Sequence, residues 1–160
     1  MKKITYLFLL AATLGACSPK PENKIEKPPK ASASLFPQGD AIEGSNFNGT
    51  AYLQRLMTDS ETFDVVVSDV IFETKARNSW HSHPGGQILI ATAGKGYYQE
   101  KGKSIQVLNP GDVVAIPADV VHWHGAAPDS GFTHIAINTK VHLGATQWYE
   151  PVSDEEYTNQ

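Results

Sequence analysis

The chain has 160 residues, 19% charged and 41% hydrophobic, with 13 Lys plus Arg, 17 Asp plus Glu and a single Cys. That composition is globular, and the length suits one domain with short appendages. The net charge of −4 is a poor match to phosphate backbones, which need clustered Lys and Arg, so nucleic acid is excluded as a partner.

Met1-Lys2-Lys3 followed by the apolar run Ile4 to Leu14 has the charged and hydrophobic regions of a secretory signal. The run is too short for the ~20 residues that span a bilayer. Leu14-Gly15-Ala16-Cys17 resembles the lipobox of bacterial lipoproteins, which implies a signal peptide over residues 1–16. It also implies an exported protein held to a membrane through lipid on Cys17, facing the periplasm or cell surface. With one thiol there is no internal disulfide. Residues 17–38 are rich in proline and lysine and poor in apolar side chains. They are expected to be a disordered tether, because such a composition cannot bury enough surface to order itself.

The folded domain is expected over residues 39–160, where the charge balance turns acidic: 7 Lys plus Arg against 15 Asp plus Glu, a difference of −8. Helical periodicity is hard to find there. Short β-branched runs bounded by Gly, Pro and Asp predict strands at 51–58, 63–73, 87–93, 96–100, 104–108, 113–116, 120–126 and 132–138. Strands this short and this many close into a sandwich or a barrel. Ile88, Leu89, Ile90 and Ala91 are apolar on both faces of their strand. One face can fill the interior; the other needs cover, either from a second copy in a homodimer or from the terminal segments.

Chemistry concentrates in Trp80-His81-Ser82-His83-Pro84-Gly85-Gly86-Gln87 and in Val121-His122-Trp123-His124-Gly125. Alternate residues of a strand share a face, so His81 and His83 point one way, as do His122 and His124. Any one of these alone reads as a surface or hydrogen-bonded core histidine. Two HxH pairs, with Gln87 carried toward the first by a Pro-Gly-Gly turn, read as a metal site, since imidazole is the commonest metal ligand. The candidate ligands are His81, His83, Gln87 and His122. His124 shares the face of His122. His134 lies in phase with Phe132, Ala136 and Asn138 on a later strand. Both are candidate catalytic residues, with a pKa near 6.5 that suits proton transfer near neutrality and predicts slowing in acid.

Other positions are read more plainly. Ser68, Val70 and either Gln106 or Asn138 can line the pocket by strand phase. Trp80, Trp123 and Phe72 are expected in the core, Lys75 and Arg77 on a solvated rim, Asp112 in a turn, and His142 at the surface.

His81-x-His83, three residues, Gln87, six residues, Gly94 resembles the first motif of the cupin superfamily. Gly111, five residues, Pro117, four residues, His122 resembles the second. The resemblance implies an all-β, single-domain cupin jelly-roll β-barrel. This chain departs from the usual pattern with Gln87 where Glu is common and Ala126 where Asn is common. The histidine motifs together with Thr133-His134-Ile135-Ala136 are most similar to small bacterial cupins that include manganese-dependent hydroxynitrile lyases. That implies a divalent metal, Mn first with Fe or Zn as alternatives, a small-molecule substrate, lyase-type chemistry, and His134 as proton acceptor. A metal-dependent oxygenase or isomerase, and a non-catalytic module binding a ligand or metal, remain the alternatives.

Overall fold

The computed structural model describes residues 34–58 and 60–158. The expected signal peptide, Cys17 and most of the expected tether lie outside the described residues. No helix among the described residues is long and apolar enough to cross a membrane.

The chain opens with β1 (Asp40–Ala41), β2 (Phe47–Asn48) and β3 (Ala51–Met57), and a helical turn α1 (Ser60–Phe63) leads into β4 (Val65–Phe72). Two short strands, β5 (Arg77–Asn78) and β6 (His81–Ser82), precede β7 (Gln87–Gly94), β8 (Gly96–Glu100) and β9 (Gln106–Leu108). Then come β10 (Val113–Ile116), β11 (His122–Ala126), β12 (Phe132–Thr139), β13 (Gln147–Trp148) and the closing helix α2 (Asp154–Thr158). The first sheet runs β1-β3-β4-β12-β7-β10; the second runs β13-β6-β11-β5-β2, with β8 also on β11 and β9 on β8. This is the all-β barrel of the cupin fold.

The long strands β4, β7 and β12 form because Val and Ile suit a pleated, half-buried surface. Their alternation decides which side chains enter the barrel. On β7 the pattern runs buried, half-buried, buried throughout, so Gln87, Leu89 and Ala91 face in while Ile88 and Ile90 face out. Register fixes the neighbours: His134 lies opposite Val70 on β4 and Ala91 on β7. Phe72, Phe132, Leu89, Val70, Tyr98 and Ile116 make the interior core. A second cluster, Trp80, Tyr97, Trp123, Val152 and Tyr157, lies on the other side of the second sheet. There the C-terminal segment and α2 cover what the sheet would otherwise expose. The outer face of the first sheet is covered in part by the N-terminal segment, where Ser34 Oγ donates to the buried Asp69 Oδ2 at 2.6 Å.

Three expectations are refined or corrected. The strand expected at 63–73 forms as β4 but begins only at Val65, because Ser60–Phe63 make a helical turn. Arg77 is not on a solvated rim: it is 4% exposed. Its guanidinium donates to Val152 O at 3.3 and 3.1 Å and to Asp154 Oδ1 at 2.6 Å, and it lies over the Tyr157 ring. The Nε and Nη2 side of the fork is paired with a carbonyl and a carboxylate, the kind of partners a buried charge requires. Gln106 is exposed on β9 rather than lining the interior, because β9 lies at the margin of the second sheet, paired only with β8.

Candidate metal centre and catalytic cavity

The first histidine pair arrives on β6 and the turn after it. Register pairs His81 directly with His122 of β11, which places both imidazoles on one face. The turn that follows needs its glycines. Gly86 has φ +86°, and a Cβ on Gly85 would meet Thr139 O at 1.8 Å. Backbone thus packs on backbone, Thr139 Oγ1 donates to Gly85 O at 2.8 Å, and β7 starts with Gln87 facing in.

One ligating atom from each of His81, His83 and His122 lies within 4.8 Å of the others, and all three residues are buried. Their tautomers are set by what the far nitrogen meets. His81 Nδ1 donates to Ser79 O at 2.9 Å and His122 Nδ1 to Val120 O at 2.9 Å, leaving each Nε2 unprotonated. His83 Nε2 is buried with no hydrogen-bond partner in the protein. A buried acceptor without a partner needs an explanation, and a cation seated between three such nitrogens supplies one. Gln87 Nε2 donates to Asn138 Oδ1 at 2.8 Å, which leaves Oε1 3.3 Å from His122 Nε2. The residues present therefore fit a divalent metal.

Burial also keeps the imidazoles neutral. Desolvation first, then His122 and His83, holds His81 well below its ordinary value. Desolvation lowers His83 and His122 to about 4 each. Burial, with His134 next, holds His124 well below the usual histidine range. Burial alone pushes His134 down to about 3. With burial pushing His134 down to about 3, any slowing in acid through this residue is expected well below the pH of 6.5 that suits a free histidine.

These shifts have a consequence for stability. A histidine whose folded pKa lies below its unfolded value adds stability above the unfolded pKa, and loses it as pH falls toward the folded one. The metal-free protein should therefore lose stability from pH 6.5 down toward 4, by about 1.4 kcal/mol per pH unit for each imidazole held neutral. Thermal unfolding at pH 7 and 5 measures this. An unchanged melting temperature would mean that the imidazoles are far better solvated than described.

His124 and His134 are both buried, side by side. The Asn78 side-chain nitrogen lies 3.1 Å from His124 Nε2 and 3.4 Å from Nδ1, and Asn78 Oδ1 accepts the His124 backbone N–H at 2.9 Å. His134 is fully buried between Phe132 (ring centroids 5.0 Å) and Phe72 (5.8 Å), with its edge toward His124 at 4.8 Å. Neither of its ring nitrogens has a protein partner. Of the two, His134 has a lone pair free to act on a ligand. Ser68 and Val70 are buried on β4, and Asn138 is committed to Gln87. His142 is exposed and paired with Asp64 at 2.6 Å.

Sequence reasoning missed Asn78, Thr146 and Trp148. Thr146 Oγ1 lies 3.2 Å from His83 Nδ1. Trp148 pairs with His81 in register and lies tilted against it with centroids 4.9 Å apart. No spacing motif links them to the histidines, because β13 reaches β6 only through the fold.

Comparison with known proteins agrees with this geometry. A family model described as "Cupin domain" matches residues 68–137. The chain is 42% identical over 111 residues to a protein named (R)-mandelonitrile lyase from Granulicella tundricola, covering 69% of this chain and 85% of that one. A cupin-like protein of solved structure from Thermotoga maritima is 51% identical, with a TM-score of 0.76 over 78% of this chain and 95% of its own. A cupin-2 domain from Rhodospirillum rubrum, at 16% identity and TM-score 0.63 over 81% and 85% of the two chains, shares the fold.

Proposed function

Because the chain belongs to the cupin family, we propose that it is a metal-dependent lyase acting on a small hydroxylated substrate such as a cyanohydrin. His81, His83, Gln87 and His122 would hold the ion. Four neutral ligands leave its charge uncancelled, so the chemistry it supplies is Lewis acidity toward a substrate oxygen. Nitrogen ligands alone rank Zn and Cu above Mn; manganese is proposed from the resemblance to the lyase cupins.

The observation that carries the reading is His134, fully buried with both ring nitrogens unpartnered. Being neutral, it accepts a proton on one nitrogen. In cyanohydrin cleavage that proton comes from the substrate hydroxyl. The O–H electrons become the carbonyl π bond, the carbon–carbon bond breaks, and its pair leaves with cyanide. The imidazolium then returns its proton to cyanide, giving HCN and an aldehyde. An anionic species in the cavity raises the pKa of the imidazole beside it, offsetting part of the desolvation. Phe72 and Phe132 hold the ring in place and keep water from its faces. Asn78 fixes His124, which makes that residue a positioning group for His134 rather than a second base.

The test is mandelonitrile cleavage by metal-loaded protein. Metal-dependent release of benzaldehyde supports the lyase reading. No turnover of any hydroxynitrile, with metal bound, removes it in favour of a binding module.

We also propose that two copies pair through the outer face of the first sheet. Val67, Ile88, Ile90, Ile135 and Ile137 are half-buried there and Val113 is 59% exposed, whereas α2 covers the second sheet. Light scattering at micromolar concentration should give twice the chain mass, and a monomeric mass would contradict the pairing.

A further inference from the structure

Three imidazoles make the metal centre, but their outer nitrogens are not held alike. His81 and His122 each donate Nδ1–H to the backbone carbonyl two residues upstream. Side-chain substitution does not delete such a partner. His83 has no such carbonyl bond. Its Nδ1 meets a side chain, Thr146 Oγ1, at 3.2 Å, and Thr146 comes from the segment beyond β12, outside the stretch matched by the family model. From this we infer that Thr146 is a positioning residue of the metal site, and that its hydroxyl oxygen accepts the Nδ1–H of His83 to present Nε2 to the ion.

The chemistry follows from imidazole itself. A neutral ring carries one N–H, and a nitrogen that carries it cannot bind a cation. His83 Nε2 faces the other two imidazoles and must be bare, so the proton belongs on Nδ1 and needs an acceptor there. Without one, a buried N–H is left unsatisfied, or the proton moves to Nε2 and blocks the site. The same segment is anchored just after Thr146. Trp148 lies in register on His81, and the Tyr149 N–H donates to Trp80 O at 2.9 Å. Thr146 therefore immediately precedes a strand that the ligand strand itself holds in place.

The inference rests on the metal-centre reading but not on lyase activity. Mn(II) or Zn(II) affinity is measured on the whole chain by competition with a chromophoric chelator, for wild type, Thr146→Val and Thr146→Ser. Val keeps the shape and deletes the hydroxyl; Ser restores it. Outer-sphere partners of metal-bound His are worth 10–100-fold in affinity, so Val should lose about that much and Ser should remain within about threefold of wild type. The ¹⁵N signals of His83 in metal-free protein should show the Nδ1–H tautomer in wild type and a mixture in Val. Wild-type affinity in Val, or equal losses in Val and Ser, overturns the inference while leaving the metal centre intact. Failure of wild type to bind either ion overturns both.

Discussion

Replacing His83 by Ala should abolish metal binding, with wild type retaining stoichiometric divalent ion after purification. The side chain supplies one of three nitrogens that converge within 4.8 Å, and its inward nitrogen has no other partner. Outer-sphere changes at such sites cost 10–100-fold; loss of a direct ligand should exceed about 100-fold. Two measurements check it. Elemental analysis reads stoichiometry directly. Thermal unfolding with added ion reads linkage, because a ligand at one hundred times its Kd stabilises the folded state by about 2.7 kcal/mol. Wild type should show that shift and His83→Ala should not. Without metal, the variant should be no less acid-stable than wild type, since it has one fewer imidazole to protonate on unfolding. A variant with full metal stoichiometry would remove His83 from the site.

The residues that form this site were legible in the sequence to the extent that strand alternation governs them. His81, His83 and His122 repeat at the interval that puts side chains on one face, and Pro84-Gly85-Gly86 announces the turn that brings Gln87 in. His134 was found by phase with Phe132 and Ala136. Where the outcome depended on distant pairing, local pattern failed. Asn78 reads as an ordinary polar residue until β5 and β11 bring it against His124. Arg77 reads as a surface cation until Asp154 and the Val152 carbonyl arrive from the far end of the chain. Gln106 has the right phase, but its strand lies at the sheet margin, where phase no longer separates interior from solvent. The burial of His134 is hidden for a related reason, since the sequence shows which residue type is present but not that two phenyl rings enclose it.

That enclosure gives the proposed base its character and its test. His134→Ala should reduce turnover of mandelonitrile by about 10²- to 10⁴-fold, the range for a positioned acid–base group, or about 3–5 kcal/mol of transition-state stabilisation. Metal content should be unchanged, because His134 is not among the three imidazoles that converge. The pH profile tests the burial of His134. On the acid side, kcat/KM reports the free enzyme's base, and burial holds His134 near 3. Protonation of this residue should therefore cost nothing between pH 7 and 5 in metal-loaded protein. An acid limb near 6.5 that disappears in His134→Ala would show a solvated imidazole, contrary to its burial. Stability separates function from packing. His134→Phe deletes two unpartnered nitrogens and keeps a ring between Phe132 and Phe72. Its stability should fall less than that of wild type between pH 7 and 5, by about 2 kcal/mol, as the linkage of a group with unfolded pKa 6.5 and folded pKa about 3 requires. Lost turnover with intact metal and a flatter acid stability curve is the signature of a buried imidazole kept for chemistry. Wild-type turnover in His134→Ala would exclude it as the base.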